Sequence, residues 1–284
     1  MKLSLSMYSC LRAVQAGQLD LMGFIDYAAA QGLAGVELLD IFWSDAEREI
    51  PHVKRRIADA GLEMAVYSIS NNFIQPEAGA RARELADLMR GVDIALELGV
   101  DLLRVFSGSA REDVSQEAGE AWILEGLSAG AAYAEARGVT LALENHGRFA
   151  GRSDQVRAII EQVGSPALRV NFDSGNFLPV GQDPVEAARE LADWVVLVHL
   201  KDIRRAGNDE PSHVFPDPSG QLLTGAVIGA GLVDLPAVMA VLREAGYAGW
   251  LSLEFEGAEE PLHVGVPRSL AAARWLMGLG AGGL

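Results

Sequence analysis

The chain has 284 residues, half of them hydrophobic, which is enough to bury a large core, and α/β barrels of about this length run as one domain. Its formal charge of −16 at pH 7 repels phosphate backbones and anionic lipid, so no nucleic-acid and no membrane partner is expected. A lone cysteine, Cys10, cannot close an intrachain disulfide, and no apolar run is long enough for a bilayer span or a signal-peptide core, so a soluble cytoplasmic protein is expected.

In chain order, Lys2–Met7 reads as a strand and Leu19–Gln31 as a helix with Asp20 near its start. Gly35–Leu39 is a second strand, followed by a helix around Asp45–Ala60. Leu62–Ile69 and Val100–Phe106 are the third and fourth strands, each followed by a long helix, Glu77–Leu98 and Glu117–Arg137. The fifth to eighth strands lie in Val139–Gly147 (V-T-L-A-L-E-N-H-G), Leu168–Asn176 (L-R-V-N-F-D-S-G-N), Trp194–Asp202 (W-V-V-L-V-H-L-K-D) and Gly249–Gly257 (G-W-L-S-L-E-F-E-G). Helices at Ser153–Val163, Pro184–Ala192 and Leu235–Ala245 separate them, and a last helix covers roughly Pro267–Met277. Gly32, Gly61, Gly99, Gly138 and Gly246 each sit just past a periodic segment, where a left-handed residue ends a helix. Strands alternating with helices imply a parallel sheet, and eight such units in this length favour a closed (β/α)8 TIM barrel, with residues 1–284 as one domain. The stretch Arg204–Gly231, rich in Pro, Gly, Asp and Ser, is expected to be an irregular loop forming a partial lid.

The last four strands carry continuous apolar runs, the habit of parallel strands buried on both faces. Each ends in one side chain able to bind a metal: Glu144, Asp173, His199 and Glu254. Strand C-termini of such a barrel converge on one mouth, so these four come within reach of a single point. Singly, each has an ordinary reading: a rim glutamate, a turn aspartate, a hydrogen-bonded core histidine. Four at matching ends of consecutive strands is a far rarer coincidence. Three carboxylates and an imidazole, without thiolates, suit one divalent ion, Mn2+ or Mg2+ first, with Co2+ or Zn2+ as alternatives.

Other residues belong near the same mouth. His146 follows Glu144 by two and can meet a substrate oxygen or hold Glu144, and Lys201 follows His199 by two and can bind a substrate oxygen. Glu37 is a structural residue or a pocket wall, and Glu256 points to the mouth or sits on the rim. Trp43, Tyr67, Asn71 and Phe106 are further candidates for pocket walls. Gly229-Ala230-Gly231 is expected to follow no strand and lacks the third glycine of a dinucleotide loop at the right spacing, and no G-x-x-x-x-G-K-[ST] occurs.

The stretches L-A-L-E-N-H-G, N-F-D-S-G-N, V-H-L-K-D, G-A-G-L-V-D and L-S-L-E-F-E-G together resemble the sugar phosphate isomerase/epimerase family, the xylose isomerase-like TIM barrels. That resemblance covers essentially the whole chain and implies Glu144, Asp173, His199 and Glu254 as metal ligands, with Glu144 and Glu254 also handling protons. It implies a small polyhydroxy carbonyl compound as substrate and a homodimer or homotetramer as assembly. It places Arg205 where some members bind substrate, and Asn176 where many epimerases carry a histidine that contacts substrate. Asparagine can donate to a hydroxyl there but cannot carry a proton at neutral pH.

Chemistry supplies an independent reason for two glutamates. Moving a carbonyl, or inverting the carbinol beside it, requires removal of a proton from the carbon α to the carbonyl, and a positioned carboxylate accelerates this by about 10²–10⁴. Proton return to the opposite face is epimerisation, return to the adjacent carbon is isomerisation, and loss of a β-hydroxyl is dehydration. Isomerase or epimerase is the first expectation, and a lyase of the inosose or dehydroshikimate dehydratase kind the second. A nuclease of the endonuclease IV kind ranks below both, because it needs extra histidines that the tips of the first four strands lack. The non-enzyme alternative, a barrel that binds sugar or metal without turnover, would be favoured if Glu144 and Glu254 lay too far apart to flank one substrate.

Overall fold

The computed structural model describes residues 1–208, 210 and 213–278. Among these, eight strands close a barrel: β1 Lys2–Ser6, β2 Gly35–Leu39, β3 Glu63–Ser68, β4 Leu102–Val105, β5 Thr140–Glu144, β6 Leu168–Asp173, β7 Val195–Leu200 and, after three strands described below, β11 Trp250–Leu253. Every neighbouring pair in the ring is parallel, and β11 closes it by pairing with both β7 and β1. The helices named below form the outer layer, and their apolar faces join the outward faces of the strands in one buried core.

Helix ends lie where side-chain chemistry places them. Asp20 accepts from Gly23 N–H at the head of α2 (Leu21–Ala30), after the short α1 (Leu11–Gln15), and Asp45 from Arg48 N–H at the head of α3 (Ala46–Asp59). Ser115 caps α5 (Gln116–Glu135) in the same way, behind the long α4 (Ala78–Leu98). The five predicted stop glycines all adopt positive φ, between 65° and 86°. The remaining helices are α6 (Gly147–Ala150), α7 (Ser153–Val163), α8 (Pro184–Leu191), α9 (Leu235–Glu244) and α10 (Val266–Leu276).

The segment expected to be irregular holds a small antiparallel sheet instead. β8 (Asp202–Arg205) pairs with β10 (Leu222–Ala226), which also pairs with the two-residue β9 (Phe215–Pro216). Asp202 anchors its base: the buried carboxylate accepts from the backbone N–H groups of Ile203, Gly229, Gly231 and Val233. This gives the G-A-G-L-V-D stretch a structural role. β10 also packs on the end of the eighth barrel strand so closely that a Cβ on Gly225 would meet Glu256 backbone atoms at 2.5 Å. Residues 209, 211 and 212 of the segment lie outside the described residues.

Candidate metal centre

At the C-terminal ends of the strands, Glu37, Ser68, Arg104, Glu144, Asn171, Asp173, His199, Ser252 and Glu254 are all buried. Register brings several side by side: Glu144 pairs with Asn171, Asp173 with His199, and His199 with Ser252.

The motif D-S-G-N builds one corner. Asp173 Oδ1 accepts from the N–H groups of Gly175 and Asn176, closing a tight turn. That leaves Oδ2 directed elsewhere, so the turn reading and the ligand reading of Asp173 hold together. Asn145 secures this residue from the neighbouring strand, its amide donating to the Asp173 carbonyl at 3.0 Å and accepting from its N–H at 2.7 Å. Ser174 bridges to the next strand, donating to the Lys201 carbonyl and accepting from the Lys201 N–H.

Glu144, Asp173, His199 and Glu254 each offer one donor atom, and these four atoms lie within 4.8 Å of one another, all buried. His199 Nδ1 is 3.4 Å from Glu144 Oε2, 3.7 Å from Glu254 Oε2 and 3.9 Å from Asp173 Oδ2. Asp173 Oδ2 and His199 Nδ1 have no hydrogen-bond partner. A buried polar atom left unpaired costs about 1–3 kcal/mol, more when it is charged, and a cation shared by the four donors removes that cost. Three carboxylate oxygens and one imidazole nitrogen fit a divalent ion.

Charges around the cluster agree. Burial pushes the pKa of Asp173 well above its usual value, with Lys201 opposing and the Glu254 and Glu144 carboxylates adding to the rise. Burial alone would lower that of His199, but Glu37, Glu254 and Glu144 outweigh it and raise it strongly. Glu254 moves the other way: burial opposes ionisation, but Lys201 and His199 hold its carboxyl well below the usual range.

A cavity of about 250 Å3 opens onto the cluster, lined by Tyr8, Leu39, Ile41, Ser70, Arg104, Phe106, Glu144, His146, Lys201, Glu254 and Glu256. It lies near the small end of ligand pockets. His146 is exposed at its mouth with its ring 5.1 Å from that of Phe106. Lys201 is buried, its Nζ 2.5 Å from Glu256 Oε1 and 3.4 Å from Glu254 Oε2, so it is neither solvated nor paired with Asp202. Burial, then Glu256 and Glu254, push the Tyr8 hydroxyl pKa up, which keeps it a donor.

Several expectations are corrected. Asn176 does not reach the cavity: it is buried, and its Nδ2 donates to Glu144 Oε1 at 3.1 Å. Arg205 does not come to the cavity either; it is exposed on β8, opposite Leu223 of β10. Trp43, Tyr67 and Asn71 line a neighbouring cavity of about 360 Å3 that meets the first at Ser70, leaving Phe106 as the one of that group on the site itself.

Two residues gain importance. Arg104, unremarked in the sequence, is buried with its Nε 3.4 Å from Glu144 Oε2, its Nη1 donating to the Ile69 carbonyl and its guanidinium over the Phe106 ring at 4.1 Å. An arginine inside the apolar run L-L-R-V was the available signal, because a charge in a strand buried on both faces needs a partner. Glu37 is fully buried and faces His199 from the far side, with Oε2 at 3.1 Å from Nε2.

A family model described as "Xylose isomerase-like TIM barrel" matches residues 25–277. The chain is 41% identical over 159 residues to 2-epi-5-epi-valiolone 7-phosphate 2-epimerase of Actinoplanes sp., a match covering 55% of this chain and 51% of the relative. It is 28% identical over 243 residues to 2-oxo-tetronate isomerase of Cupriavidus necator, covering 80% and 84%. It is 28% identical over 137 residues to inosose dehydratase of Geobacillus kaustophilus, covering 47% of this chain and 44% of that enzyme, so the match spans less than half of the relative's length. Solved structures superpose with TM-scores of 0.71 to 0.77 at 17 to 23% identity, which shows the shared fold. Among the described residues no helix is long and apolar enough to cross a membrane.

Proposed function

Because the chain belongs to the xylose isomerase-like TIM barrels, we propose that it is a divalent-metal-dependent isomerase or epimerase of a small polyhydroxy ketone or aldehyde. One observation carries this reading. Two glutamates from well-separated strands, β5 and just past β11, line the same small cavity and contribute to the same cluster of buried donors. Their donor atoms lie within 4.8 Å of each other, which supports a shared substrate and speaks against the wide separation that would have favoured the non-enzyme alternative.

Glu144, Asp173, His199 and Glu254 would hold the ion, Mn2+ or Mg2+ by donor hardness. When bound, it would act as a Lewis acid, stabilising negative charge on the substrate oxygens as the α-proton leaves. The chain's own groups do the rest. One of Glu144 and Glu254 removes the proton from the carbon beside the carbonyl, and the other returns one. His146 and Tyr8 line the cavity with groups that can donate to hydroxyls or the carbonyl, and Lys201 adds an ammonium to the lining. Leu39, Ile41 and Phe106 exclude water from the apolar edge of the substrate.

The dehydratase alternative draws support from the similarity to inosose dehydratase. The same first proton abstraction serves it, followed by loss of a β-hydroxyl. The deciding experiment is incubation of Mn2+-loaded protein in D2O with a panel of ketoses, inososes and dehydroshikimate, read by NMR. Deuterium beside the carbonyl with an unchanged formula is the expected result, abolished by a chelator and restored by Mn2+. Loss of water from the substrate would favour the lyase, and no exchange with any metal or substrate of the panel would count against both.

A further inference from the structure

We infer that Glu37 is a positioning residue that fixes His199 in the tautomer whose Nδ1 lone pair faces the cation, an inference that rests on the metal reading above. Glu37 lies in β2, inside the barrel and far in sequence from every candidate ligand. Its Oε1 accepts from the Ser68 hydroxyl of β3 at 2.6 Å, and its Oε2 from the Ser252 hydroxyl of β11, also at 2.6 Å. The adjacent strand β3 and, across β1, the strand β11 thus hold one oxygen each, and the carboxylate cannot turn without breaking a buried hydrogen bond. The second oxygen faces His199 Nε2 on β7 at 3.1 Å.

A neutral imidazole has one N–H and one lone pair, and a carboxylate only accepts. With Glu37 against Nε2, the proton belongs there and the lone pair belongs on Nδ1. Nδ1 is the nitrogen facing Glu144, Glu254 and Asp173. The 3.1 Å contact lacks hydrogen-bond alignment in this structure, and the inference includes its alignment once Nδ1 is engaged. A charged carboxylate deep in a barrel lumen is costly to bury. The arrangement of two serines and a histidine around it gives that burial a purpose, since outer partners of a ligating histidine set its orientation and basicity.

The test is calorimetric titration of Mn2+ into the native protein, Glu37→Gln and the double variant Ser68→Ala/Ser252→Ala. Thermal melting of the metal-free forms reports their folding, and 15N NMR of His199 in the Mg2+-loaded forms reports the tautomer. Glu37→Gln is expected to bind Mn2+ about 10–100-fold more weakly while still melting cooperatively. The native protein should show the proton on Nε2, and Glu37→Gln a mixture of tautomers. The double serine variant should weaken binding in the same direction, and it decides the matter on the same two readouts if Glu37→Gln does not fold. A native protein that takes up no divalent ion overturns the metal reading and this inference with it. Native binding with unchanged affinity and an unchanged Nε2 proton in the variants overturns the role of Glu37 alone.

Discussion

Glu144 and Glu254 enter one cavity from different parts of the barrel wall, and they are held by different means. Glu144 receives an amide N–H on each oxygen, from Asn176 at 3.1 Å and Asn171 at 3.2 Å, with the Arg104 guanidinium beside it. Glu254 faces the ammonium of Lys201 at 3.4 Å, and that ammonium is drawn more tightly to Glu256 at 2.5 Å. Amides on short side chains fix direction. An ammonium on a four-carbon stem supplies charge and tolerates displacement. The difference teaches that the two proposed proton carriers are not interchangeable: one is aimed, the other is charge-balanced and freer to move.

The largest expected effect tests what the two share. Glu144→Gln and Glu254→Gln should each lower solvent-proton exchange by about 10²–10⁴-fold, measured by deuterium incorporation. Normal exchange by either variant would remove that residue from the mechanism and break the pairing. Next comes the charge-balanced side. Lys201→Met removes the cation between Glu254 and Glu256, and loss of one partner of a buried ion pair costs about 3–5 kcal/mol, readable by denaturant unfolding of the metal-free protein. A stability unchanged by this substitution would show that Glu254 does not depend on Lys201.

Proton competition gives a third expectation. In the metal-free protein the raised pKa values of His199 and Asp173 favour the protonated forms of groups that must be deprotonated to bind an ion. Mn2+ affinity should therefore rise from pH 6 to pH 8, by up to about tenfold per pH unit for each proton displaced, with proton release seen as a buffer-dependent binding enthalpy. Affinity that falls over this range would reverse the assignment.

Smaller effects follow on the aimed side. Asn176→Ala removes one of two amide contacts and should cost about 1.5–3 kcal/mol, the range for hydrogen bonds to charged groups. The loss should appear mainly in kcat, because Glu144 would keep its charge environment and lose its direction. Arg205→Ala should change activity less than about twofold, as expected for an exposed surface substitution.

The four clustered donors were legible because each ends an apolar run, a pattern that survives without knowledge of the fold. Helix positions were legible too, because caps and stop glycines act locally. Arg205 and Asn176 were placed by resemblance alone, and the surroundings of both depend on chain beyond a strand end. Past Lys201 the chain leaves the barrel for β8, whose pairing with β10 and not the barrel sets the position of Arg205. Asn176 lies beyond a turn closed by its own N–H on Asp173, which tucks its side chain beneath Glu144. The small antiparallel sheet was hidden by composition: strands this short sit among Pro, Gly and Asp, and only L-L-T in β10 hints at extended backbone. Glu37 could not be resolved because its partners, Ser68, His199 and Ser252, meet it only when the ring closes.

Lys201 and Asp202 are consecutive, yet the first lines the cavity beside the candidate metal centre and the second fastens the antiparallel sheet at its root. The foundation of that appendage is therefore welded to the barrel, while its turn at Asp217–Gln221 is closed by its own hydrogen bonds and lines no part of the cavity. Lengthening or exchanging that turn should leave Lys201 and the four clustered donors in register.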